Sequence, residues 1–182
     1  MSAEAIQIGS ALERLRTLLL EQGGMIASLL GAEPSQPAAD GPAQLAASGP
    51  RASGRREEYE LLIEAIYEGY LLHYGSPRIL VVAEADLGLL AGDQLYAIGL
   101  ARLVTLGDTF AVGELADTIT LSALAQGGAE RDLADAVWEA GARAVGWGPS
   151  ESHARAKEKL LAGSPGVIEA MRTSAAERAA PG

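Results

Sequence analysis

The segment from Asp86 to Gly107, DLGLLAGDQLYAIGLARLVTLG, constrains this chain more than any other stretch. Leu87, Leu90, Leu95, Ile98, Ala101 and Val104 recur at steps of three to five. That period belongs to an amphipathic helix with one side on a core. Asp86 offers an oxygen to cap its first turn, and Gly107 suits the left-handed residue that ends a helix. Gly88, Gly92 and Gly99 lie inside the pattern, and each costs about 1 kcal/mol against alanine in a helix interior. Three such residues in one helix predict that another backbone comes close to it. They are therefore the candidate interaction face.

Composition agrees with helices packed through small side chains. Of the 182 residues 48% are apolar but only 4% aromatic, a poor match to a sandwich or barrel rich in β-branched and aromatic residues. The expected fold class is all-α, a helical bundle. The absence of cysteine excludes disulfides, thiolate metal sites and a cysteine nucleophile, and fits a reducing interior. Charge is unevenly spread: residues 57–142 hold fifteen acids and three bases. So acidic a centre repels phosphate backbones, which argues against nucleic acid as a partner. No apolar run reaches the roughly 18–20 residues of a membrane span, and no signal peptide is visible. A soluble, cytoplasmic protein is expected.

Four regions follow from the patterning. Residues 1–31 read as a helical arm, with Leu12, Leu15, Leu18, Leu19 and Leu20 on its apolar side and a break at Gly23-Gly24. Residues 32–55 are rich in Pro, Ala, Gly and Ser with no apolar period, and read as a disordered linker. Residues 56–148 form the expected core domain of four principal helices. The first carries Tyr59, Ile63, Ile66 and Tyr70 on one strip and stops before Pro77. ILVVA at 79–83 reads as an apolar connection or the first turn of the next helix. Asp108 is the expected cap of a further helix, and residues 129–145 of another, with Leu133, Val137 and Trp138 inward. Residues 149–182 read as polar C-terminal helices with a frayed end.

Chemistry-bearing patterns are sparse. His73 and His153 stand far apart with no second histidine at helical spacing, so both read as structural. There is no nucleophile elbow, phosphate loop, dinucleotide fingerprint or calcium loop. Glu57, Glu60, Glu64 and Glu68 step along one helix at intervals of three and four. The expected reading is a solvated face, with Glu60, Glu64 and Glu68 as the metal candidates it contains. Asp93 sits between apolar neighbours, so burial and a hydrogen-bond partner are expected, with Tyr59, Tyr67 and Tyr70 as donors.

Residues 89–108, LLAGDQLYAIGLARLVTLGD, resemble a segment of the all-helical trans-isoprenyl diphosphate synthases. They resemble more closely the small, non-catalytic subunit of the heptaprenyl diphosphate synthases, over residues 57–126. The resemblance implies a bundle like part of the isoprenoid synthase fold and a catalytic prenyl synthase subunit as partner, in a homo- or hetero-oligomer. Synthases of that family carry an Asp-rich motif on the preceding helix, whose carboxylates gather magnesium around the diphosphate. The corresponding residues here, Glu68 to Gly75, supply one acid, and Arg78 and Arg102 are the only bases between 57 and 130. The expectation is therefore a non-catalytic subunit or interaction module without a cofactor. The alternatives are a divergent magnesium-dependent prenyltransferase and a module that binds an isoprenoid tail.

Overall fold

The computed structural model describes residues 10–32 and 41–177. Among them the chain is a helical bundle. Its helices are α1 (Ala11–Gln22), α2 (Gly24–Ser28), α3 (Pro42–Ala47), α4 (Arg56–Tyr74), α5 (Ala85–Thr105), α6 (Thr109–Gly127), α7 (Arg131–Trp147), α8 (Glu151–Leu161) and α9 (Val167–Ala176). A short 3-10 turn, Pro50–Ala52, follows α3.

Local chemistry sets most boundaries. Ser10 and Glu13 form a reciprocal capping box at the start of α1, which satisfies two otherwise orphan N–H groups. Gly23, at φ 68°, breaks α1 from α2. Gly107 takes φ 76° between α5 and α6, and the Asp108 carboxylate accepts the Ala111 N–H at 3.0 Å. The opposite end of α5 departs from expectation: the helix begins one residue before Asp86, with Glu84 in the capping position and no side-chain cap.

Helices α4 and α5 form the most extensive pair, with α6–α7 and α7–α9 next. The central core joins Tyr59, Leu62, Ile63 and Ile66 of α4 to Leu103, Leu115, Trp138 and Val145. On its flank Leu12, Leu15, Leu19 and Ile26 pack on Ala65, Leu95 and Ile98. At the other end Leu121, Leu133 and Val137 meet Ala156, Leu160 and Met171. Helix α1 is thus built into the bundle and is not a tethered arm. The C-terminal helices likewise bury one side and extend the same body.

The expected linker is also corrected where it is described. Ala43, Ala46, Ala47 and Ala52 are buried, because α3 lies almost backbone to backbone on α7. A Cβ on Gly49 would stand 2.2 Å from the Gly146 carbonyl oxygen, and one on Gly146 would stand 2.5 Å from that of Ala46. Residues that look too small to form a core are the ones this contact requires. Residues 33–40 of that expected linker lie outside the described part. The 79–83 stretch is an extended connection, not a helical turn: the Gly31 N–H donates to the Ile79 carbonyl and the Val81 N–H to that of Leu29, at 2.9 and 2.8 Å.

Candidate functional site

The α4–α5 seam brings together most of the residues singled out in the sequence. Its glycines carry the close backbone approach their spacing predicts. A Cβ on Gly99 would lie 2.4 Å from Ile66 Cγ1 and 2.9 Å from the Leu62 carbonyl oxygen. One on Gly92 would lie 2.3 Å from His73 Cδ2 and 3.0 Å from the Gly69 carbonyl oxygen. Gly88 is looser, with nothing nearer than 3.7 Å. The backbone that approaches belongs to this chain's own α4. Gly88, Gly92 and Gly99 are therefore an internal seam, and the expectation of an open interaction face there is corrected.

Of the acids stepped along α4, Glu57 is exposed and Glu60 half-buried, but the two that follow are not part of a solvated face. Glu64 and Glu68 are only 2% and 0% exposed. The turn through Pro77 folds Arg78 back over α4, where its guanidinium meets Glu64 at 2.5 Å and Glu68 at 3.0 Å. Glu68 also accepts the backbone N–H groups of Arg78 and Ile79, at 2.6 and 2.9 Å. Burial pushes the Glu64 carboxyl above its ordinary value, with Arg78 opposing the shift. Glu60 pairs separately with Arg14 of α1 at 2.6 Å. These carboxylates are held by arginines and backbone donors that hydrogen-bond and pair with their oxygens. Among the described residues no group of three His, Cys, Asp or Glu side chains could hold a metal ion.

Asp93 faces outward. Its side chain is 68% exposed, and its contact is His73 Nε2 at 3.3 Å. Two of the three expected tyrosines are engaged elsewhere: Tyr59 donates to Asp108 at 2.5 Å, and the Tyr70 hydroxyl accepts from Gln126 at 2.6 Å. The apolar residues bracketing Asp93 belong to two opposite faces of α5, so they do not enclose it. His73 packs against Tyr96, ring centroids 5.3 Å apart, in the structural role expected of it.

Two polar clusters escape sequence reasoning. In the first, Asp108 joins its capped helix to Arg51, at 2.7 Å, and to Tyr59. Burial and the hydrogen bond to Asp108 push the Tyr59 hydroxyl up to about 12. In the second, Glu114 meets His153 Nε2 at 2.6 Å and Lys157 Nζ at 2.8 Å. The His153 Nδ1 lies 3.4 Å from Ser174 Oγ. The signal for this cluster was a polar residue on an apolar stripe: Glu114 sits among inward Ala111, Leu115 and Thr118, and His153 in line with Ala156 and Leu160.

Serine, histidine and glutamate in a row invite comparison with a nucleophile triad. The remaining contacts argue for a structural network instead. Ser174 Oγ donates to the Met171 carbonyl at 2.8 Å, and the second Glu114 oxygen is taken by Lys157. Burial raises the Glu114 pKa, but His153 and Lys157 outweigh it and hold the carboxyl below its usual range. An ionised carboxylate suits the orienting acid of a triad, so it is the Ser174 hydroxyl, already donated to the Met171 carbonyl, that speaks against a nucleophile. A cleft of about 490 Å³ opens beside His153 and Ser174, where Arg143 lies 3.7 Å over Trp147 and donates to the Glu177 carbonyl. A larger cleft, about 770 Å³, lies over Tyr67 and Trp138 between Arg56, Asp135 and Glu139.

Compared with known proteins, the chain matches no family model, no curated protein and no solved structure.

Proposed function

We propose that this chain is a non-catalytic, isoprenoid-synthase-like helical subunit that supports a catalytic prenyl diphosphate synthase. The reading starts from the likeness of residues 89–108 to that family. The observation that carries it is the fate of the α4 acids. Where a synthase gathers magnesium on the helix before this segment, Glu64 and Glu68 are buried and paired with Arg78. Prenyl transfer needs carboxylates free to bind metal around a diphosphate. Acids already neutralised by an arginine are built for holding helices together.

The test uses the purified full chain, an allylic diphosphate, isopentenyl diphosphate and magnesium. The chain alone should give no elongation. Immobilised, it should retain a prenyl synthase from its native lysate, and the retained synthase should elongate faster, or to a different length, than the synthase alone. Magnesium-dependent turnover by the chain alone would overturn the proposal.

A further inference from the structure

Packing the glycine side of α5 against α4 leaves the other side of the same helix uncovered. Leu90, Asp93, Ala97 and Val104 share one strip at helical spacing, the seam spacing of a helix that packs along a second helix at a shallow angle; Leu100 within it is half-buried and leans on the central core. Leu90 is 59% exposed and Val104 58%, with Leu89 beside them at 46%. Ala97 and Ala101, also exposed, keep the middle of the strip low enough for close approach. The helix has a mean hydropathy of 1.3 over its most apolar window, of which only 39% is buried. So apolar a helix, so little covered, marks an interaction surface.

Charge selects the occupant. Glu84, Asp86 and Asp93 are exposed at the N-terminal half of this helix. Among the described residues neither Glu84 nor Asp86 has a basic partner, and Asp93 touches only His73. The one base of α5, Arg102, is two residues from Val104 and projects to the other side. A second copy paired in parallel would bring the same acids against these, and paired antiparallel it would offer them only the C-terminal half of α5, which presents no base on this strip, in a chain that already carries a net −10. Anionic lipid is disfavoured for the same reason.

We infer that this strip docks an amphipathic helix of a different protein, apolar at three- and four-residue spacing and flanked by lysine or arginine. The partner helix runs antiparallel to α5. Its C-terminal turn, where basic residues are favoured by the helix dipole, then lies against Glu84, Asp86 and Asp93. The inference rests on the reading of the chain as an interaction subunit and names the surface that reading needs.

Two labelled peptides of α5's length test it on the full chain by fluorescence anisotropy. Both carry leucine and alanine at the seam spacing; one has lysines flanking its C-terminal half, the other glutamates. The basic peptide should bind at least about tenfold more tightly than its acidic twin. Leu90→Glu with Val104→Glu, at exposed positions and with unchanged circular dichroism, should weaken it by about tenfold or more. Asp86→Lys with Asp93→Lys should reverse the preference between the two peptides. Absence of binding by either peptide, equal binding of both, or indifference to Leu90→Glu with Val104→Glu overturns the inference. So does a dimer in sedimentation, or capture by zwitterionic vesicles, that the same double substitution abolishes. Any of these results leaves the subunit proposal standing if the immobilised chain still retains and stimulates a synthase; turnover by the chain alone sinks that proposal whatever the peptides do.

Discussion

The two sides of α5 have similar apolar character and opposite fates. The inward side is stepped with glycine: Gly92 and Gly99 let α4 approach until a Cβ would collide with it. The outward side is stepped with Leu90, Ala97 and Val104, all exposed among the described residues. The acids divide in the same way, since Glu64 and Glu68 turn inward to Arg78 while Asp93 stays in solvent. Hydrophobicity alone therefore does not say which side of a helix is core. Close packing selects shape, and the side with the smallest residues admits the neighbouring backbone.

The largest effect should come from the inward acids. Arg78→Met strands Glu64 and Glu68, and should cost about 3 kcal/mol, the low end of what breaking a buried ion pair costs. Urea denaturation measures it. A loss below about 1 kcal/mol would mean that the acids reach solvent. Next, Gly99→Val should destabilise by about 2 kcal/mol through overpacking against Leu62 and Ile66, seen as a lower denaturation midpoint with unchanged slope.

Much of this arrangement is legible in the sequence, and its failures are instructive. The three-to-four period places α5 within a residue or two, Asp108 caps α6, and the interior glycines announce a close neighbour. Which neighbour is not written there, because one's own helix and a partner's helix make the same demand. The buried α3 was hidden because alanine and glycine supply no hydrophobic period, although a Cβ on Gly49 would stand only 2.2 Å from the Gly146 carbonyl oxygen. Arg78 and the α4 acids are ten and fourteen residues apart across a proline turn. Glu114 and His153 are separated by 39 residues. Such pairs are made by tertiary packing, and no local spacing encodes them.

Acid should separate the two buried carboxylate clusters. The Glu114 pKa is lowered from 4.5, so its contribution is present above that value and is lost as pH falls through the folded value. The Glu64 pKa is raised, so its contribution has the opposite sign: it is present at low pH and lost as pH rises through the folded value. Glu114→Gln should therefore flatten the decline in stability below pH 4.5, as followed by thermal melts. A variant with the wild-type acid limb would remove Glu114 from the account. The smallest effect is expected outside. Ala97→Val should change stability by less than about 0.5 kcal/mol, since an exposed position has no fixed neighbour to displace. A loss comparable to that of Gly99→Val would show that the outward strip is covered.

The division of α5 into a closed and an open side is tested most directly by thiol labelling, because the chain has no cysteine of its own. Ala91→Cys probes the inward side, where Ala91 is 0% exposed, and Ala97→Cys probes the outward side. Under native conditions a maleimide should modify Cys at 97 at close to the rate of the unfolded chain, and at 91 at least about a hundredfold more slowly. Equal rates at the two positions would contradict the account.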